Sequence, residues 1–396
     1  MQNCSNKLSK FLYFLLMFEI LLFSFTTLTY SLYPFINRII GLFLVPTFLG
    51  LYIITLRKKD ILFLICIIAI GLLSFFMSTF DYSKNLNDCI YFCFYGLLLW
   101  KLADKGFSIS FLKIMNKHIF IIKLFSIIDF FIVLLCLLAP SSYKSNWGNT
   151  YFSGLAYSSH SLCCGICIVA GLYLLTINKK SSDLLSLLIL TIYSYAILQS
   201  GARTYLISLL AIWIIYFKYL VNNKKIIKLF MPIILIAGIY ILINSNFMDK
   251  MNFSVNNEYS VSSDKIVDFT SGRLDFWLID LSAFKFGSFI QILFGQGFDS
   301  VYYINKAQYG LFIWAHNDFI NTLLCNGLIG LIIYCLPMIK LFKVKYNSLI
   351  MNFTIFIFVF GVAFINGMFS YAHYLFAICI FSLALRKIDC NLKIKV

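Results

Sequence analysis

Residues 315 to 335, AHNDFINTLLCNGLIGLIIYC, place a polar cluster directly before an apolar run. His316, Asn317 and Asp318 supply an imidazole ring, an amide and a carboxylate in consecutive positions, and no charged residue follows before Lys340. A transmembrane helix is therefore predicted to begin there, with the polar cluster at its mouth. Glycines 327 and 330 on this helix predict close approach of a neighbouring backbone.

The composition of the whole chain also indicates a membrane protein. Of its 396 residues, 61% are hydrophobic and only 12% are charged, against roughly 25% charged in soluble domains. We predict an all-α, polytopic membrane protein forming a single membrane domain, 1–396, with about twelve transmembrane helices. The apolar runs lie at 11–33, 35–56, 61–80, 89–103, 119–139, 160–177, 183–199, 204–220, 229–245, 317–337, 349–370 and 371–385.

The distribution of basic residues predicts the orientation. With these runs as helices, 22 of the 32 lysines and arginines fall on one side, so both termini are predicted to be cytoplasmic. These lysines lie in short turns beside helix ends, where they face anionic membrane lipids. The net charge of +16 is thereby explained, and no nucleic-acid partner is expected.

One long segment, residues 246–314, is predicted to form an external loop between the ninth and tenth helices. It holds seven of the sixteen acidic residues. Its middle, SGRLDFWLIDLSAFKF (271 to 286), places Arg273 and Asp280 on one face of an interfacial helix. Its aromatic side chains fit membrane-interface anchoring better than sugar stacking.

Arginine is rare in this chain, which has 27 lysines and five arginines. Arg38, Arg203 and Arg273 fall near the predicted external face, where the positive-inside bias disfavours them. A guanidinium binds two phosphate oxygens at once, which a lysine cannot do. Taken singly, each has a structural alternative, namely pairing with a carboxylate or reaching lipid headgroups, and Arg38 fits that alternative best.

Four stretches carry a resemblance to a known family. They are FSGLAYSSHSL (152–162), QSGARTYL (199–206), SGRLDFW (271–277) with FGQGFDS (294–300) after it, and AHNDFINTLLCNGLIGL (315–331). In these motifs, in their order and in the single long external loop, the chain resembles the O-antigen ligase and O-antigen polymerase superfamily of bacterial membrane glycosyltransferases. The likeness covers roughly residues 140 to 340.

The resemblance implies a metal-independent, cofactor-free enzyme of the membrane-embedded glycosyltransferase type, acting on sugars linked to undecaprenyl diphosphate. Arg203 and Arg273 would neutralise the diphosphate leaving group as its charge develops. His316 would take the proton of the acceptor hydroxyl or, protonated, hold the diphosphate. Asn317, Asp318 and Arg38 complete the candidate substrate-binding set, although Asp318 also fits a helix cap.

Three functions follow as hypotheses. The first is a repeat-unit polymerase, which transfers the growing chain from undecaprenyl diphosphate onto the next lipid-linked unit. The second is a ligase that transfers finished polymer to lipid A-core, and the third is a flippase or other transporter. The expected location is the bacterial cytoplasmic (inner) membrane, with the active site facing the periplasm. A chain-length regulator and a flippase of the same pathway are the expected protein partners.

Overall fold

A computed structural model describes residues 58–79, 82–146, 149–177, 183–202, 204–221, 273–310, 312–344, 346–368 and 373–393, with scattered positions between 10 and 56. Across these residues the chain is mostly helical. The predicted runs at 11–33 and 35–56 are described only at isolated positions, and the run at 229–245 lies outside the described residues.

The first half of the described chain forms seven helices and one hairpin. The helices are α1 (Lys58–Met77), α2 (Tyr82–Leu102), α3 (Lys105–Lys117), α4 (Ile119–Leu138), α5 (Ser159–Thr176), α6 (Asp183–Gln199) and α7 (Tyr205–Ile215). A π-helical turn, Tyr216–Leu220, continues α7. Strands β1 (Tyr143–Asn146) and β2 (Asn149–Phe152) pair antiparallel, with Tyr143 opposite Phe152.

All the regular elements described in the second half are helices. Its elements are α8 (Arg273–Lys285), α9 (Phe289–Phe294), α10 (Ser300–Tyr309), α11 (Asp318–Phe342), α12 (Leu349–Phe356), α13 (Val362–Ile365) and α14 (Tyr374–Lys393). A π-helical stretch, Ile357–Gly361, joins α12 to α13.

Four of the described helices are long and apolar enough to cross a membrane: Asp60–Met77, Ile119–Leu138, Ser159–Thr176 and Asp318–Phe342. Shorter apolar helices lie at Leu184–Gln199, Tyr205–Leu220 and Leu349–Ile365. Several apolar helices of this kind identify a membrane protein. The side chains of Leu135, Leu138 and Phe120 on α4 are more than 60% exposed. Exposed apolar side chains of this kind fit a helix face that contacts lipid.

The predicted runs match most helices closely. Two bounds differ, since α2 begins at Tyr82 where its run begins at 89, and α14 ends at Lys393 where its run ends at 385. Three further differences concern the helices themselves. Residues 105–117, expected in a turn, form the amphipathic helix α3, whose Phe107 and Phe111 are buried and whose N-terminus is capped by Asp104. The run 349–370 was predicted as one helix, and this is wrong at its end, because the helix stops at Ile365 before Asn366 and Gly367. The third difference is a break inside α11.

The elements that position the polar cluster pack around α11. Helices α1, α2, α8 and α9 contact it, and α10 packs against both α8 and α11. The elements predicted as an external loop, α8 to α10, therefore lie directly on the helix that follows the cluster. Helices α5 and α14 make the most extensive contact between two elements of the described chain.

Candidate active site

The helix after the polar cluster is broken and folds back on itself. Gly327 has φ 71 and ψ −172, which is not helical. The Tyr334 hydroxyl donates a hydrogen bond of 2.7 Å to the carboxylate of Asp318, a residue 16 positions earlier. In a continuous α-helix these positions would lie about 24 Å apart. The break at Gly327 therefore turns the two halves of α11 towards each other.

The FGQGF turn between α9 and α10 satisfies the backbone at this break. The N–H groups of Gln296 and Gly297 donate to the carbonyls of Leu324 and Cys325, both at 3.0 Å. A broken helix leaves carbonyls without intrahelical donors, and in an apolar environment they need others. The two glycine-containing motifs thus form one structural unit.

The same unit requires glycine on both sides. A Cβ on Gly327 would lie 2.4 Å from the carbonyl carbon and oxygen of Leu293, and one on Gly295 would lie 2.1 Å from the Cys325 oxygen. Both glycines also have positive φ. The prediction that a neighbouring backbone approaches closely is confirmed at Gly327.

A second contact fixes the turn to the loop after α1. The Asp299 carboxylate accepts from the Thr79 N–H and from the Asn85 side-chain amide, both at 3.0 Å. The Phe298 N–H donates to the Ser78 hydroxyl at 2.8 Å. The turn is therefore held between the end of α1 and the break in α11.

His316 lies just before α11 in a conformation that few residues adopt. Its φ of 52 is the only positive φ at a non-glycine residue in the described chain. Its ring lies 4.7 Å, centroid to centroid, from the ring of Trp314. Backbone strain of this kind persists where surrounding contacts hold it, and it concentrates at functional sites.

The two polar residues after His316 make internal hydrogen bonds. The Asn317 side-chain oxygen accepts from the N–H groups of Phe319 and Ile320, so Asn317 is the N-cap of α11. The prediction that Asp318 caps the helix is wrong, because Asn317 occupies the cap position. The Asp318 carboxylate instead accepts from Tyr334 and from the Met368 N–H at 2.6 Å, which ties α11 to the chain after α13.

Gly367 makes this tie possible. Its φ is +88, and a Cβ there would lie 2.4 Å from the Asp318 carboxylate and 2.6 Å from the Trp314 ring. No larger side chain fits without moving one of these groups. The segment 366–368 is therefore pressed directly against the polar cluster.

Asn366 joins the two candidate residues that the sequence singled out. One guanidinium nitrogen of Arg273 donates to the Ile365 carbonyl at 2.5 Å, and the other donates to Asn366 Oδ1 at 3.4 Å. His316 Nδ1 lies 3.2 Å from the same Oδ1. Arg273 and His316, from two separate motifs, thus meet at one amide oxygen.

Asn366 was missed by sequence reasoning, and a signal for it existed. The Asn-Gly pair at 366 and 367 interrupts an apolar run, and such pairs mark turns. Asn366 is fully buried, and its Nδ2 has no hydrogen-bond partner in the described structure. Burying a polar amide without a partner for its NH₂ group costs desolvation free energy. A buried asparagine beside an arginine is therefore a candidate functional residue.

The remaining predicted residues are placed as follows. Arg38 and Arg203 lie outside the described residues. Around Arg203, the described parts of QSGARTYL pack on α5: Ser200 Oγ lies 3.1 Å from Cys163 Sγ, and the Tyr205 hydroxyl lies 3.1 Å from Cys164 Sγ. His160, the histidine of the FSGLAYSSHSL stretch, lies with its ring 5.9 Å from that of Tyr205.

Asp280, which was predicted to share a helical face with Arg273, is completely buried. Neither carboxylate oxygen has a hydrogen-bond partner of ordinary geometry in the described structure. Burial raises the pKa of Asp280 to about 7, and the nearby Asn305 side chain lowers it only in part. The Asn305 amide N–H itself bonds the Ile313 carbonyl.

In this site a guanidinium and an imidazole contact the same amide oxygen, Asn366 Oδ1. The backbone of His316 beside it is strained. A cation of this kind can stabilise an anionic oxygen, and an imidazole can move a proton. No group of three or more potential metal-ligating side chains occurs in the described part of the chain. Comparison with family models, curated proteins and solved structures finds no match to this chain.

Proposed function

We propose that the protein is a polymerase of lipid-linked oligosaccharide repeat units. It transfers the growing chain from undecaprenyl diphosphate onto the next lipid-linked unit at the external face of the membrane. The observation that carries the proposal is the shared contact of Arg273 and His316 with Asn366 Oδ1. The two residues come from separate sequence motifs, and their side chains contact the same oxygen atom.

The two groups suit the two charges that sugar transfer must handle. Breaking the bond between sugar C1 and phosphate leaves negative charge on the diphosphate, and a fixed cation stabilises that charge as it develops. The acceptor hydroxyl must lose a proton, and a positioned imidazole with an ordinary pKa near 6.5 can take it. Arg273 has the first role in the proposal and His316 the second.

The two hydrogen bonds of Arg273 support its role as a fixed charge. They run to the Ile365 carbonyl and to Asn366 Oδ1, and they hold the guanidinium against the end of α13. A guanidinium that is already oriented loses little entropy when it binds an oxygen pair. Arg203 and Arg38 remain proposed partners of the diphosphate.

The proposed topology has about twelve transmembrane helices, both termini in the cytoplasm and the site facing the periplasm. One contact among the described residues supports placing the start of α1 and the ends of α2 and α11 on the same side of the membrane. The Asp60 carboxylate at the start of α1 lies 3.7 Å from the Nζ atoms of Lys101 and Lys340, at the ends of α2 and α11. These lysines belong to the set assigned to the cytoplasmic side.

Deletion of the gene tests the function directly. In cells that make lipopolysaccharide, a gel of the deletion strain should show lipid A-core carrying a single repeat unit, because the ligase remains. Bare core with long polymer on undecaprenyl diphosphate would identify a ligase instead. Bare core without lipid-linked polymer outside the membrane would point to a flippase. Restoring the gene should restore the full ladder of chain lengths.

A further inference from the structure

The hydrogen-bond donors around Asn366 determine which way its amide faces. A guanidinium has only donors, so the atom that contacts Arg273 must be the amide oxygen. The opposite orientation would place the NH₂ group against the guanidinium, donor against donor. In the present orientation Nδ2 is buried without a hydrogen-bond partner in the described structure, which is unfavourable. The acceptor contacts of Oδ1 are therefore the interactions that orient this side chain.

The orientation of the amide in turn fixes the proton on His316. Because Oδ1 can only accept, His316 Nδ1 must donate to it across the 3.2 Å contact and must carry a hydrogen. In the neutral ring the lone pair is then on Nε2. We propose that Asn366 is a positioning residue that holds His316 as the Nδ1–H tautomer, so that Nε2 is the basic nitrogen.

The geometry around the ring supports a fixed orientation. Asn366 is fully buried at the end of α13, and its Oδ1 also accepts from Arg273. The positive φ of His316 and the contact with Trp314 restrict the ring further. Two charged groups belong to the same cluster: Arg273 shares Asn366 Oδ1 with the ring, and the Asp318 carboxylate is engaged by Tyr334 and Met368.

This inference deepens the proposed function, because it names the atom that takes the acceptor's proton. The tautomer itself, however, exists without substrate. A measurement on the resting protein therefore tests the inference separately from the reaction. The chain has only four histidines, which makes such a measurement practical.

The experiment is ¹⁵N NMR of the full-length protein, labelled only at histidine and reconstituted in lipid. The His316 signals are assigned by comparison with His316→Asn. At about pH 9, where an ordinary imidazole is neutral, we expect Nδ1 to be protonated and Nε2 to be bare. A protonated Nε2 in the parent protein would overturn the proposal at once, whatever any variant does.

Two variants separate the amide's role from packing. Asn366→Asp keeps the acceptor and removes the unpartnered donor, so it should retain the Nδ1–H tautomer. Asn366→Leu removes the acceptor, so Nε2–H should become a major species. An unchanged tautomer in Asn366→Leu would contradict the proposal. Asn352→Leu, at a half-buried asparagine near the start of α12, is the matched control and should leave His316 unchanged.

Polymer length in cells adds the link to function. Asn366→Leu should lower transfer by at least about tenfold at equal protein level, and Asn366→Asp should lower it less. If the parent protein shows the Nδ1–H tautomer but deletion of the gene leaves polymer length unchanged, the proposed function fails and the tautomer assignment stands. If polymerisation is confirmed but the parent carries Nε2–H, the tautomer assignment fails alone.

Discussion

The Tyr334 hydroxyl and the Asp318 carboxylate are joined by a hydrogen bond of 2.7 Å although they belong to the two halves of one helix. Since the rise of an α-helix is 1.5 Å per residue, this bond exists only because α11 folds back at Gly327. The polar cluster at 316–318 consequently faces the second half of α11 and the segment 366–368. It is not an isolated feature at the far end of a straight span.

Replacing Arg273 by lysine should nearly abolish polymerisation while the protein level in the membrane stays normal. A lysine keeps the charge but has a single nitrogen, which cannot reach both the Ile365 carbonyl and Asn366 Oδ1 in the guanidinium's geometry. The measurement is polymer length on a gel, with protein level from a blot.

The matched control is Arg57→Lys, at a predicted cytoplasmic helix end where only positive charge is needed. It should keep normal polymer length. Near-normal polymer from Arg273→Lys would remove the diphosphate role from this residue. Arg203→Lys is expected to resemble Arg273→Lys, with a milder loss.

Replacing His316 should reduce transfer roughly 100-fold, which is the contribution of a positioned general base. Because His316 has positive φ, His316→Ala also adds backbone strain, whereas asparagine tolerates that conformation. His316→Asn should therefore show the same loss with normal stability. The initial rate of transfer in membranes is the quantity to measure.

Two other histidines serve as comparisons. His118, between α3 and α4 with its ring 5.4 Å from that of Phe14, should tolerate alanine without effect. His160 is the rival, since it lies in the first turn of α5. An inactive His160→Ala together with an active His316→Ala would transfer the role of base to His160.

Gly367→Ala should destabilise the protein by about 2 kcal/mol or more, because the added Cβ collides with Asp318 and Trp314 in a left-handed conformation. Gly310→Ala is the matched control: its φ is +70, but a Cβ there meets nothing within 4 Å. It should cost about 1 kcal/mol from the backbone alone. Thermal unfolding in detergent compares the two, and equal losses would contradict the close packing at Gly367.

Ser300→Cys should form a disulfide with Cys325 under mild oxidation. The Ser300 hydroxyl lies 3.7 Å from Cys325 Sγ, across the contact between the FGQGF turn and the broken helix. Peptide mapping by mass spectrometry would detect the cross-link. The control is Ser300→Cys combined with Cys325→Ser, which should lose it. Failure of the first variant to cross-link would argue against this packing.

Stability should fall as the pH rises, because of Asp280. Its folded pKa is about 7, above the ordinary value of about 3.9, so the native state holds a proton that the unfolded state releases. The stabilisation is present at low pH and is lost as the pH rises through about 7. Asp280→Asn should flatten the dependence of the unfolding temperature on pH between 5 and 8.

The control is Asp275→Asn, which removes a half-buried carboxylate from the same helix. If Asp280→Asn unfolds with the same pH dependence as the parent, the carboxyl is not buried as the structure places it. Asp280 lies on α8, a helix outside the four candidate spans.

The class of the protein and most helix positions could be predicted from the amino-acid sequence. Apolar runs predicted helices beginning near 119, 160, 183 and 349, and the structure starts them at Ile119, Ser159, Asp183 and Leu349. These features are local, since the length of an apolar run and a capping residue such as Asn317 act over a few positions. The motifs also nominated Arg273 and His316, although their proposed functions stay predictions.

The tertiary structure alone decided the break in α11 and the partners of the polar cluster. The spacing of Gly327 and Gly330 fits a straight helix as well as a broken one. The break is stable because Gln296 and Gly297 supply donors to the carbonyls of Leu324 and Cys325. Asn366 likewise becomes a candidate site residue only through its contacts with Arg273 and His316, which are distant from it in sequence. Hydrogen bonds between segments far apart in sequence leave no periodic pattern, so the sequence could not show them.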